Sequence, residues 1–224
     1  GNTWQRVESR PDAYLYGLAW SGSELVLAGQ DGWLLTSPDV ASFTLRPGPN
    51  VDLRGVEWSS EQQRFLMVGN LQTIATSTDG ASWDDLYDGV GMDIQGVKAY
   101  FDDTDTSLMA VGSQGTILRS DDGLEYEFVW ARDGLQLNDI ARTSSTAVAV
   151  GNLGHVLRSQ DIITWDTDVG YVFRSRDFRT WDTVATRPTF LDLNSVTVSS
   201  SRFVAVGDNG TIVESPDGAT WNDV

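Results

Sequence analysis

The chain contains no cysteine, a single histidine and only six prolines among its 224 residues. Without cysteine there can be no disulfide, no thiol nucleophile and no thiolate metal site, so packing and hydrogen bonds alone must hold the fold. The lone His155 removes multi-histidine metal sites and weakens any Ser-His-Asp arrangement. Positive charge is scarce as well: 15 Lys and Arg stand against 32 Asp and Glu, for a formal net charge of −17. That balance disfavours a nucleic-acid ligand, because phosphate binding needs clustered cations. No apolar run approaches the roughly 18 to 20 residues of a membrane-spanning helix. No signal peptide is visible from Gly1, so the expectation is either a cytosolic chain or a mature one whose export signal has been removed.

What is abundant points to β structure. Nine Trp and 22 Gly favour short strands joined by tight turns, since Gly supplies positive φ and Trp fills the space between sheets. The acidity keeps a surface soluble, or it draws a basic partner.

A repeat runs through the sequence: Ser-x-Asp with an aromatic residue four positions after the Asp, six times. The Asp residues are Asp39, Asp79, Asp122, Asp161, Asp177 and Asp217, and their aromatics are Phe43, Trp83, Tyr126, Trp165, Trp181 and Trp221. Four copies follow a Gly-x-x-Gly turn and an aliphatic run, beginning at Gly29, Gly112, Gly151 and Gly207; a fifth turn, Gly69-Asn70-Leu71-Gln72, lacks its second Gly. Such turns read as two-residue hairpin connections. With one apolar strand before each turn and another before that, a repeat amounts to four antiparallel strands. In the third repeat these fall near Ile94 to Ala99, Leu108 to Val111, Thr116 to Ser120 and Tyr126 to Trp130. The short carboxylate can accept backbone N–H bonds within its own turn, so these Asp residues read as folding devices without a catalytic role.

Four strands repeating at about 40 residues is the size of a propeller blade. The segment Val206-Gly207-Asp208-Asn209-Gly210-Thr211-Ile212, leading to Ser215-Pro216-Asp217-Gly218-Ala219-Thr220-Trp221, resembles the BNR/Asp-box family, and within it the photosystem II assembly-factor-like branch. The resemblance covers essentially the whole chain. It implies an all-β propeller that acts by holding partner proteins, and export, because proteins with these boxes are mostly secreted or periplasmic.

The spacing of the aromatics, counted from Trp4, is 39, 40, 43, 39, 16 and 40. The 16 reads as a blade short of its first two strands, a deficit of about 24 residues after Thr167. An omitted segment explains this better than a true deletion, since a lost inner pair would leave apolar faces in water. The expected layout is a single domain over 1–224 with six blades, at 8–46, 47–87, 88–130, 131–167, a partial 168–184, and 185–224, with 1–7 as a closing strand. Seven blades are conceivable, because 1–7 and the C-terminal strand compete for one edge.

Catalytic constellations are poor. Sialidases with this box need an Arg-Ile-Pro segment, further arginines, and a Tyr and Glu; Arg46-Pro47 is the nearest match and lacks the Ile. His155 occupies a strand-start slot held elsewhere by Trp33, Thr73, Thr116, Tyr171 and Thr211, and reads as structural. In the acidic run at 102–107, Asp103 and Asp105 offer oxygen ligands for calcium, against a solvated hairpin lacking the glycine of an EF-hand loop. No cofactor is implied.

Propellers bind partners where the lead-ins to the inner strands converge. Those positions are Tyr14 and Tyr16, Asp52 and Arg54, Asp93 and Gln95, Gln136 and Asn138, and Asp192 and Asn194, each pair flanking an aliphatic residue that packs. Three Asp among them favour a basic segment of a protein partner. The expected function is a non-catalytic protein-binding scaffold or assembly factor; the alternative is a carbohydrate-binding or sialidase-like propeller, since Trp and Tyr beside acids also suit sugar rings.

Overall fold

Runs such as Phe65-Leu66-Met67-Val68 and Ala147-Val148-Ala149-Val150 are aliphatic at every position, the pattern of strands covered on both faces. In the computed structural model both are strands with the two faces buried. The structure describes residues 14–85, 92–99, 107–130, 133–143, 146–160, 172–173, 182–184, 188–199 and 202–224. The chain divides into two compact units, Gly1–Asp93 and Ile94–Val224.

The first unit holds two antiparallel sheets. One contains β1 (Leu15–Trp20), β2 (Leu25–Gly29), β3 (Leu34–Ser37) and β4 (Thr44–Arg46); the other contains β5 (Leu53–Ser59), β6 (Arg64–Gly69), β7 (Ile74–Ser77) and β8 (Asp84–Asp85). In each, spatial order follows chain order. Ala19, Val26, Ala28 and Leu34 of the first sheet pack against Val56, Phe65, Met67 and Ala75 of the second, with Trp58 and Trp83 at the margin. The Phe65 ring lies 4.6 Å from Trp58 and 6.4 Å from Trp83, tilted to both.

The second unit has three sheets. β9 (Ile94–Ala99), β10 (Leu108–Gly112), β11 (Ile117–Ser120) and β12 (Glu127–Trp130) form one, with the strands the sequence places there. β13 (Leu137–Arg142), β14 (Thr146–Gly151) and β15 (Val156–Gln160) begin the next, which β16 (Val172–Phe173) and β17 (Asp182–Thr183) complete in the order β13-β14-β15-β17-β16. The last contains β18 (Leu193–Ser199), β19 (Arg202–Gly207), β20 (Ile212–Ser215) and β21 (Asn222–Asp223). Aliphatic clusters join the first of these sheets to the second and the second to the third.

Among the described residues there are therefore five sheets, where the aromatic spacing leads one to expect six blades with one incomplete. The expected partial blade at 168–184 forms no sheet of its own: β17 pairs with β15, Arg158 opposite Asp182 and Leu157 opposite Thr183. Thr76 opposite Asp84, and Glu214 opposite Asn222, show the same register in other sheets. Asp182 and Thr183 thus stand where an outer strand stands in the other sheets.

Four of the six Ser-x-Asp turns lie in described residues, and they share one geometry. Asp79 Oδ1 accepts the backbone N–H groups of Ala81 and Ser82, both at 2.8 Å, and the Ser77 hydroxyl donates to it at 3.0 Å. Asp39, Asp122 and Asp217 repeat this with their own neighbours. The indole N–H groups of Trp83 and Trp221 close the turn by donating to the Gly80 and Gly218 carbonyls at 3.1 and 3.0 Å. These bonds hold the carboxyls below their ordinary range. The Ser42 and Ala41 N–H groups bring Asp39 to about 2; those of Ser82 and Glu125 lead the lowering of Asp79 and Asp122. At Asp217 burial pulls upward but is outweighed by Thr220, Ala219, Ser215 and the charge of Arg158. Asp161 and Asp177, and the calcium candidates Asp103 and Asp105, lie outside the described residues.

Candidate functional site

The Gly-x-x-Gly segments turn on their last two residues. Asp31 and Gly32 have φ of 52° and 76°, Leu153 and Gly154 of 55° and 68°, and Asn209 and Gly210 of 54° and 75°. Paired positive φ values make these the primed hairpin turns that match strand twist. The fifth turn keeps the shape with Leu71 and Gln72 at 53° and 65°, two side chains in a region that favours Gly. The first Gly is needed for a different reason. A Cβ on Gly151 would sit 2.0 Å from the Gln136 carbonyl oxygen, because Asn152 N–H donates to that carbonyl at 3.0 Å.

This contact builds the candidate site, since Gln136 leads into β13. The carbonyls of Tyr14, Asp52 and Asp192 accept the corresponding N–H of Gln30, Asn70 and Asp208. The next feature is a bulge shared by all five inner strands. Pairing skips one residue between Leu15 and Gly17, Leu53 and Gly55, Ile94 and Gly96, Leu137 and Asp139, and Leu193 and Ser195. The residues set out of register are Tyr16, Arg54, Gln95, Asn138 and Asn194, the second member of every expected pair. A bulge re-aims a side chain out of the ladder.

In the first unit, Arg54 Nε donates to Asn70 Oδ1 at 3.0 Å, while one of its terminal nitrogens meets Asp52 Oδ2 at 2.9 Å. Its guanidinium carbon stands 4.7 Å from the centre of the Tyr16 ring, a cation–π distance. Tyr14 and Tyr16 are both exposed, at 70% and 42%. The other oxygen of Asp52 accepts Asp31 N–H at 3.0 Å, and Asp93 Oδ1 accepts Leu71 N–H at 2.9 Å.

In the second unit, Asn138 donates through Nδ2 to Asn152 Oδ1 and to the Leu193 carbonyl, both at 2.8 Å. Asn194 donates to Asp208 Oδ1 at 2.9 Å. Asp192 Oδ1 accepts Leu153 N–H at 2.8 Å. Gln95 is half-buried, and Gln136 Nε2 lies 3.5 Å from the Leu137 carbonyl.

Asp52, Asp93 and Asp192 therefore share a task that is not visible in their sequence neighbourhood. Each caps the N–H of a left-handed turn residue, and Asp52 and Asp192 thereby clamp their own sheet to the turn of its neighbour within one unit. Asp192 does this to the turn after β14, as Asp52 does to the turn after β2, so β18–β21 follows the β13–β15 sheet directly. Sequence reasoning also missed the side-chain acceptors Asn70, Asn152 and Asp208. Their signal was present: the second residue of every such turn is polar, namely Gln30, Asn70, Ser113, Asn152 and Asp208. Asp139 is a further clamp, accepting Ser195 Oγ at 2.7 Å and Val196 N–H at 3.0 Å. His155 Nδ1 lies 2.7 Å from the Asn152 carbonyl, matching the hydroxyls of Thr73 and Thr116 on Asn70 and Ser113.

Among solved structures, the chain is similar to the YCF48 structure with a bound D1 peptide, at 18% identity and a TM-score of 0.63 over 98% of this chain and 69% of that one. It is also similar to the nidogen/laminin complex structure, at 13% identity and 0.66 over 92% and 77%. The WD40 repeats of RRP9 give 13% and 0.70 over 97% and 64%. All three are β-propellers. The fold is a β-propeller. No family model matches the sequence, and no curated protein matches it. At such identities the likeness carries the architecture, and each four-stranded sheet is a blade.

Proposed function

We propose that this propeller is a non-catalytic, protein-binding scaffold that holds a segment of a partner against Tyr14, Tyr16 and Arg54. The observation that carries the proposal is the pair of bulges at the starts of β1 and β5, which set the exposed Tyr16 ring against the Arg54 guanidinium. Asn138 and Asn194 spend their side chains on internal hydrogen bonds, whereas Tyr14 and Tyr16 are both exposed. An exposed Tyr offers a large contact area at small entropic cost, and a face for a partner's Lys or Arg. A net charge of −17 would steer such a basic segment toward the chain. The YCF48 structure with its D1 peptide is a propeller of this kind with peptide bound, which supports the same use here. The repeated carboxylates argue against catalysis. With their pKa values held low by backbone donors, they are poor proton donors near neutral pH. Membership of the Asp-box family, an assembly-factor role and export form part of the same proposal.

Panning a random peptide library on the full chain, alongside a glycan array, tests it. The expected result is enrichment of peptides rich in Lys or Arg, with no glycan retained. Glycan binding without peptide enrichment would instead support the carbohydrate reading of the exposed tyrosines.

A further inference from the structure

The turn between β6 and β7 departs from its counterparts at both of its left-handed positions. At the first, the turns after β2 and β19 use Asp31 and Asn209, whose short polar side chains tolerate that region. Here Leu71 takes it at φ 53°, followed by Gln72 at 65° where Gly32, Gly154 and Gly210 stand in other turns. A leucine at positive φ is unfavourable, and no core contact offsets the cost: Leu71 is 72% exposed and belongs to none of the buried apolar clusters among the described residues. Backbone strain kept at an exposed residue points to function, and an exposed leucine gains only when another molecule covers it.

The position of Leu71 ties it to Tyr16 and Arg54. Asn70, the residue before it, accepts Arg54 Nε at 3.0 Å, and the Arg54 guanidinium lies 4.7 Å from the centre of the Tyr16 ring. Leu53 pairs with Gly69, so the Arg54 bulge and the Leu71 turn sit side by side at one end of their sheet. Asp93 Oδ1 accepts the Leu71 N–H at 2.9 Å and fixes the backbone there. Leu153 shares the conformation and is 57% exposed, but it is Asn138, not an arginine, that donates to the Asn152 before it.

We propose that Leu71 is the apolar contact of the binding face and receives an aliphatic or aromatic side chain that the partner segment carries within a few positions of its basic residue. This rests on the reading of Tyr14, Tyr16 and Arg54 as that face. The segment is then amphipathic, with a cation drawn by the acidic chain and an apolar side chain covering Leu71. A wholly basic segment leaves Leu71 in water and gains nothing from it. Leu71 therefore sets specificity, as a difference in affinity between amphipathic and merely basic segments.

The test is calorimetric titration of a library-selected peptide into the full chain as wild type, Leu71→Asn, Gln72→Gly and Tyr14→Ser/Tyr16→Ser. Leu71→Asn installs the residue type that Asn209 already carries at φ 54°, so the melting temperature should rise by about 2 to 4 °C. The same variant should bind the peptide about fourfold more weakly, the worth of one buried methylene group. A peptide whose apolar side chains are cut back to alanine should bind wild type and Leu71→Asn equally, because the contact is then already gone. Gln72→Gly relaxes the same turn without altering the Leu71 side chain, and should raise the melting temperature while leaving the dissociation constant unchanged. If Leu71→Asn binds as wild type does while Tyr14→Ser/Tyr16→Ser is weakened, the Leu71 contact is overturned and the tyrosine face stands. Equal weakening by Leu71→Asn and Gln72→Gly also overturns it, since the turn's rigidity and not the side chain would then set affinity. A library that enriches no peptide, or a constant untouched by the tyrosine changes, overturns the face and the Leu71 contact together.

Discussion

Deleting residues 168–183 removes β16 and β17 and joins Thr167 to Val184, which decides whether the short aromatic spacing is an added strand or a damaged blade. The first copy of the repeat carries Trp165-Asp166-Thr167, identical to Trp181-Asp182-Thr183. After the deletion, Asp166 and Thr167 would stand opposite Arg158 and Leu157, where Asp182 and Thr183 now stand. The spacing from Trp165 to Trp221 would become 40, equal to that now found from Trp181. The ladder contacts of the outer strand are therefore retained. Between β15 and the outer strand, residues 161–181 shrink to 161–165, roughly a fourfold shortening worth up to about 1.3 kcal/mol in closure entropy. Against this stands the loss of the two-residue β16 at the sheet's outer edge, a cost of about 1 kcal/mol at typical net hydrogen-bond values. The two effects nearly cancel, so urea unfolding should give a stability within about 1 kcal/mol of the parent and an m-value no larger. Deleting 161–176 instead should behave alike, because it also leaves one Ser-x-Asp turn followed by Trp-Asp-Thr. A loss above roughly 3 kcal/mol, or an unfolded product, is the scale of a broken core and would refute the added-strand account.

Other perturbations test individual devices. Gln72→Gly should stabilise by about 1 kcal/mol in thermal or urea unfolding, because it removes a side chain from φ 65°. Gly154→Ala should destabilise by at least 2 kcal/mol or so, since φ is 68° and the new Cβ would meet the Thr189 carbonyl at 1.8 Å. Asp192→Ala should cost about 1 to 2 kcal/mol by removing the acceptor for Leu153 N–H, with Asp192→Asn milder because an amide oxygen can still accept. Acid should reveal the Ser-x-Asp turns. Their carboxyls titrate lower in the folded chain than in the unfolded one, so their contribution is complete above about pH 4 and is lost as pH falls toward 2, the value at Asp39. The melting temperature should fall over that window, and less steeply in Asp39→Asn or Asp79→Asn.

The strands, the hairpin turns and the Ser-x-Asp devices were legible because each is encoded within a few residues: aliphatic runs, glycines at fixed offsets, a short carboxylate before two small N–H donors. The lead-in positions were legible as well, and the bulge at every inner strand explains why the second residue of each pair varied. What the sequence did not reveal was the role of Asp52, Asp93 and Asp192. Their partners are N–H groups of Asp31, Leu71 and Leu153, 21, 22 and 39 positions away, and backbone donors leave no trace in residue identity. Carboxylates that read as an acidic ring for a partner each also accept a turn N–H, a second task that their sequence neighbourhood does not show. The short spacing was ambiguous for another reason. Counting residues cannot tell a blade that lost strands from a blade that gained one; the register of Asp182 opposite Arg158 shows which strand pairs with β15.

The most direct test of the binding account is the dissociation constant of a library-selected basic peptide, measured for the wild-type chain and for Tyr14→Ser/Tyr16→Ser. Both residues are exposed, so the double variant should keep its melting temperature while binding falls at least tenfold, the weight of about 1.4 kcal/mol. An unchanged constant in a folded double variant would contradict the assignment of this face as the binding site.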